Sequence, residues 1–137
     1  MNGVKPSEYI YSVINSKEIY RSIKDNSWFE GYKEMLDALY EATNRGFAYR
    51  TVDEMTKYIS KNMTLFAESD NEWKKYMDEQ IFQKVLPKLH GNRSEMEPIL
   101  NKIMECIYDN AEYPLTSEKI SIMKQNSMKG YISFIGD

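Results

Sequence analysis

One cysteine and one histidine in 137 residues deny this chain two common kinds of chemistry. Cys106 alone cannot close an internal disulfide, and with His90 as its sole imidazole companion it cannot build a Cys/His zinc site. Long apolar runs are also missing. The longest, such as Tyr9–Tyr11 and Ala38–Tyr40, are three residues, against the roughly 20 that a bilayer-spanning helix needs. The opening stretch, MNGVKPSEYIYSVINSKE, has no apolar block of the kind that directs export. With four prolines and six glycines, the composition is neither collagen-like nor that of a disordered chain. No charge of one sign dominates. Residues 1–68 carry 9 basic and 10 acidic side chains, residues 69–137 carry 9 and 11, and the formal net charge is −3. A protein built to grip nucleic acid usually shows a basic face, and none stands out. The expectation is a cytoplasmic, reduced, soluble domain that holds no metal and touches no membrane.

What is present is helical patterning. Ser27-Trp28-Phe29-Glu30 has the form of a capping box, and Trp28, Tyr32, Met35, Leu36, Leu39 and Thr43 follow at spacings of three and four. Gly46 is placed to end that helix in a left-handed conformation. Thr51-Val52-Asp53-Glu54 and Ser69-Asp70-Asn71-Glu72 repeat the device. The first leads a stripe of Met55, Tyr58, Ile59 and Met63. The second leads Trp73, Met77, Ile81, Val85 and Leu89, with Phe82 and Leu86 beside them. Pro87 falls inside that last stripe and predicts a kink or loosened turn before Gly91. Ser94-Glu95-Met96-Glu97 reads as a further cap, with Pro98 in the first turn of a helix carrying Ile99, Leu100, Ile103, Met104 and Ile107. After a turn-like stretch from Asp109 to Pro114, Thr116 or Ser117 starts a last helix with Ile120, Met123 and Met128, closed by Gly130. Tyr131–Ile135 alternates weakly, as a terminal strand or an extended tail. In residues 1–26, Ser7 and Ser16 suggest short helices. The predicted fold is all-α, a bundle of five to seven helices, with 1–26 as a connecting segment and 27–137 as the main domain.

Catalytic patterns are scarce. No glycine precedes a lysine, so there is no phosphate-cradling G-x-x-x-x-G-K-[ST] loop, and the six glycines never fall two apart as a dinucleotide fingerprint requires. His90, just before Gly91, suits the carbonyl end of a helix better than catalysis. Asp78/Glu79 and Glu95/Glu97 read as solvated faces and helix caps. The nine methionines and eleven tyrosines fall mostly on the apolar stripes and read as core. Cys106 reads as a buried, inert thiol. On these residues the chain by itself is not an enzyme.

One stretch resembles a known family. Asp78-Glu79-Gln80-Ile81-Phe82-Gln83-Lys84-Val85-Leu86-Pro87-Lys88-Leu89-His90-Gly91-Asn92-Arg93 is similar to the D-x-Q-I-x-Q-K-[IV]-L-P-[RK]-[ILF]-H-G-[ST]-R signature of McrB-type AAA+ ATPases. These are motor subunits of modification-dependent restriction systems. Gly46–Met55 resembles the family's F-G-Y-R-V-x-x-E-[IM] segment, Tyr113–Met123 its Y-P-x-S-x-x-K-[LI]-x-x-M element, and Gly130–Phe134 its G-[FY]-x-S-F. The four elements occur in family order. All belong to the C-terminal end of the motor, after the nucleotide-binding core. The phosphate loop and the Mg²⁺-binding acidic motif are not in this sequence, as in a piece cut from a longer protein or a shortened relative.

The resemblance implies a helical lid that senses nucleotide and couples ring subunits. It binds no cofactor alone, and works with ATP or GTP and Mg²⁺ in the full-length parent. The implied partners are the chain's own nucleotide-binding core, neighbouring ring subunits and a nuclease subunit, with DNA reached only through the parent. Arg50 is the expected nucleotide sensor, because it precedes Thr51, the expected cap of a helix over Val52–Phe66, where a guanidinium can meet a terminal phosphate. An ion pair with Asp53 or Glu54 is the structural alternative. His90 and Arg93 are candidates for a subunit interface, against a plain interhelical turn at 91–93. Two other classes remain open: a free-standing helical adaptor that docks on a partner motor, and a helix-turn-helix DNA binder.

Overall fold

A computed structural model describes residues 4–107, 110–126 and 130–135. Among these, seven α-helices and one two-stranded antiparallel sheet form an all-α fold within the predicted range. The chain divides within a helix into two compact units, one ending at Met77 and one beginning at Asp78. No helix among the described residues is long and apolar enough to cross a membrane.

The first unit holds α1 (Pro6–Val13), α2 (Glu18–Ile23), α3 (Phe29–Ala42), α4 (Tyr49–Phe66), a 3-10 turn (Asp70–Glu72) and the start of α5 (Trp73–Gln80). Its core includes Leu36 and Leu39 from the predicted α3 stripe and Met55, Ile59 and Met63 from the predicted α4 stripe, and Val52, read as part of a cap, is buried as well. α1 lies against α3 and α4, and α2 against α4. Ile10, Tyr20 and Ile23 are buried there with them.

Helix starts differ from the sequence reading wherever tertiary packing supplies a better partner. Ser27 does not cap α3; its hydroxyl donates to Asp70 instead. Trp28 and Phe29 are buried, and their burial sets how the chain enters that helix. Ser7 is not a cap either. Its backbone N–H and hydroxyl both donate to the Asp37 carboxylate of α3, at 2.9 and 2.5 Å, so a neighbouring helix caps α1. The predicted box at Ser69 does form, with Glu72 accepting the Ser69 N–H at 3.0 Å. At the end of α3, Asn44 and Arg45 take the left-handed conformation expected of Gly46, with φ of 57° and 64°. Gly46 serves proximity instead: a Cβ there would stand 3.0 Å from the Thr43 carbonyl oxygen.

The second unit holds the end of α5, a π-helical turn (Ile81–Val85), a 3-10 turn (Leu86–Lys88), β1 (Gly91–Asn92), α6 (Arg93–Cys106), a 3-10 turn (Asn110–Glu112), α7 (Pro114–Gln125) and β2 (Tyr131–Ile132). Pro87 explains the change of helix type. It has no N–H to give to the Gln83 carbonyl, and the preceding Leu86 N–H reaches back five residues to Ile81. Gly91 then turns the chain with φ +151°, a value that side chains disfavour. β1 pairs antiparallel with β2, Gly91 opposite Ile132. α6 starts at Arg93, so Pro98 lies inside the helix and not in its first turn. α7 starts at Pro114, before the expected Thr116 or Ser117. Met128 and Asp109, both placed by the sequence reading, lie outside the described residues.

Candidate functional site

α4 is 18 residues long and begins two residues before the expected cap. Two contacts pull it forward. Phe47 is buried near Tyr40, with ring centroids 6.4 Å apart. Tyr49 stacks on Tyr9 of α1 at 4.3 Å and 18°. Thr51 is therefore buried inside the helix and not its cap, and Arg50 occupies the second helical position.

The first turn of α4 contains no acidic residue, and its N-cap Ala48 offers no side-chain acceptor. Backbone N–H groups and a guanidinium thus share one end of the helix, where the dipole favours an anion. The Arg50 side chain is 87% exposed and reaches Glu54 at 3.4 Å. That is a long surface pair of small energetic value. Asp53, the other partner considered for Arg50, is engaged elsewhere.

Asp53 is the polar centre of the first unit. Its carboxylate accepts hydrogen bonds from Tyr9 at 2.9 Å, Tyr20 at 2.7 Å and Lys17 Nζ at 2.7 Å. The chain of contacts continues inward, because the Tyr20 hydroxyl oxygen lies 3.5 Å from Thr56 Oγ1, which itself lies 2.6 Å from the Tyr32 hydroxyl. Burial works against the charge on Asp53, but the hydrogen bonds from Lys17, Tyr20 and Tyr9 outweigh it and hold the carboxyl below its usual range. The bond that Lys17 donates to Asp53, then the one it donates to the Tyr9 hydroxyl oxygen, push Lys17 upward. Burial raises Tyr20 and Tyr32, so both stay protonated. This network joins α1, α2, α3 and α4, and the sequence reading missed it. No local spacing announces it, since Asp53 lies 44, 36 and 33 residues from its three donors.

His90 and Arg93 belong to the second unit and flank β1. The His90 ring nitrogen Nδ1 lies 3.3 Å from the Tyr131 hydroxyl. The Arg93 backbone N–H donates to the Gly130 carbonyl at 2.6 Å, and its guanidinium pairs with Glu97 at 2.9 Å. The two residues therefore sit where β1 meets the chain around β2. An open hollow of about 560 Å³ adjoins Arg93, lined also by Asn92, Ser94, Glu97, Pro98 and Gly130.

Asp78 is the second carboxylate whose role the sequence hid. Only 3% exposed, it accepts the Leu115 and Thr116 backbone N–H groups at 2.9 Å each. It is the cap of α7, delivered from α5. Elsewhere in this unit Phe82 meets Phe134 edge to face at 5.3 Å, and Lys119 sits over the Phe134 ring at 4.3 Å. Cys106 is half-buried, and burial followed by the neighbouring Glu105 raises its thiol pKa, which keeps it a poor nucleophile. No group of three or more His, Cys, Asp or Glu side chains among the described residues is arranged to hold a metal ion.

Compared with known families, the one described as Domain of unknown function (DUF8727) matches residues 7–131. The chain belongs to that family. The DUF8727 match takes in Arg50, Asp53, Asp78, His90 and Arg93 alike. No curated protein and no solved structure matches this DUF8727 chain.

Proposed function

We propose that this chain is the helical lid of an McrB-type AAA+ NTPase, a nucleotide-sensing and subunit-coupling part of a DNA-restriction motor, with Arg50 as its sensor. The observation that carries the reading is the first turn of α4. An exposed arginine stands at the second position of a long helix whose first turn has no acidic residue and no side-chain cap. Without an anion that placement is electrostatically unfavourable. With a terminal phosphate it supplies two parallel N–H donors.

A second support is the way three of the four resembling elements meet inside the second unit. Asp78 of the long motif caps the helix that follows Tyr113, and His90 of the same motif contacts Tyr131 of the closing element. The long motif thus packs against the two resembling elements that follow it.

In this reading ATP or GTP and Mg²⁺ belong to the core of the parent motor, and Arg50 is the lid group that faces the nucleotide's phosphates. Neighbouring ring subunits and a nuclease subunit are the partners, with His90 and Arg93 near the subunit boundary and the motor at work in the cytoplasm. The test is Arg50→Ala in the complete motor. Hydrolysis is expected to slow by about tenfold or more, as for loss of one charge contact in the transition state. The isolated variant keeps the parental circular dichroism and thermal midpoint. A motor that turns over at the parental rate with this change refutes the assignment.

A further inference from the structure

The buried stripe of α4 runs Val52, Met55, Ile59 and Met63. Its next member at helical spacing is Phe66, and there the cover ends. Phe66 is 65% exposed and its neighbour Leu65 is 59% exposed. Phe66 prolongs the core stripe into solvent, and Leu65, about 100° round the helix from it, adds exposed apolar surface to the same unpartnered helix end.

The same helix end carries uncompensated negative character. Ala67 follows in an extended conformation, and no basic side chain lies in the last turn. The carbonyl end of the dipole is therefore open. Beside it lies a hollow of about 570 Å³, whose lining includes Trp28, Met63, Ala67, Asp25, Glu68 and Asp70. Every charged residue of that lining is acidic.

We propose that this end of α4 docks a segment of a partner protein that carries a lysine or arginine beside a large apolar side chain. The cation enters the hollow between Asp25, Glu68 and Asp70, and the apolar group covers Phe66. Complementary charge orients the segment and apolar burial holds it. Nucleic acid and anionic membrane both bring the wrong sign to this surface. The proposal does not depend on the lid reading.

The test uses the full chain and a short fluorescent amphipathic peptide with leucine and phenylalanine on one helical face and arginines beside them. Its control has glutamate in place of each arginine. The arginine peptide is expected to give saturable anisotropy and the glutamate peptide none. Phe66→Ser weakens binding by about tenfold or more, as for an anchor residue. Asp25→Asn with Glu68→Gln weakens it comparably and reduces its salt dependence. Tyr11→Ser, a change at an exposed aromatic outside the hollow, leaves the affinity unchanged. All these positions are exposed, and circular dichroism verifies that each variant is folded. Any of four results overturns the proposal: no binding by the parent, equal binding by parent and variants, equal loss in Tyr11→Ser, or a Phe66→Ser effect confined to self-association in sedimentation.

Discussion

Replacing Asp78 with alanine removes the cap of α7 while leaving α5 a good helix former at that position. Two hydrogen bonds to a carboxylate disappear, those from the Leu115 and Thr116 N–H groups at 2.9 Å. Bonds of this charge-assisted kind contribute about 1.5–3 kcal/mol each, but they share one carboxylate and do not simply add. The buried Thr116 N–H is left without an acceptor, which costs more. Loss of a charge that is 3% exposed relieves some desolvation, which offsets part of it. The expected net loss is about 3–4 kcal/mol, near the top of the range for single substitutions. Urea unfolding monitored by circular dichroism reads this directly. With a slope of about 1–3 kcal/mol per molar, the midpoint falls by about 1–4 M. Hydrogen exchange localises the effect, because the Leu115 and Thr116 amides lose protection. Asp78→Asn retains one acceptor oxygen and falls between the two. If Asp78→Ala lies within about 0.5 kcal/mol of the parent, and those amides stay protected, the capping argument is wrong.

Acid should weaken the Asp53 network in a defined window. A carboxyl held below its unfolded value of about 3.9 contributes fully above that pH and loses its contribution as pH falls through the folded value. Stability measured against pH is therefore expected to drop below about pH 4, and Asp53→Asn to flatten that drop; an unchanged profile in the variant argues against the network. Thr56→Val removes the bonds to the Tyr32 hydroxyl and the Val52 carbonyl and should cost about 1–3 kcal/mol. A neutral result in chemical denaturation would show that Tyr32 finds another partner. The purified chain is expected to turn over neither ATP nor GTP above background. Turnover that a point substitution within the chain abolishes contradicts this.

Much of the fold was legible because it is written at short range. Buried positions recur every three or four residues along α4 and α5, and Met55, Ile59, Met63, Trp73, Met77 and Ile81 all prove to be core. The change of helix type before Gly91 followed from one missing N–H at Pro87. The box at Ser69 joins residues only three apart, and it formed as read. The candidate site was legible only in part. Arg50 could be placed near a helix start from its neighbours, but its position inside the first turn depends on Tyr49 stacking upon Tyr9.

Sequence by itself determined the helical class, the stripes that make the core and the breaks at Pro87 and Gly91, because each depends on residues within about one helical turn of each other. Tertiary structure alone decided where the carboxylates spend their hydrogen bonds. Asp37 caps α1, Asp53 gathers two tyrosines and a lysine, and Asp78 caps α7, across separations of 30 to 44 residues. In a sequence window each looks like an ordinary solvated acid. Only when packing excludes water must each buried donor and acceptor find its partner within the protein, and the nearest partner in space is then seldom the nearest in the chain.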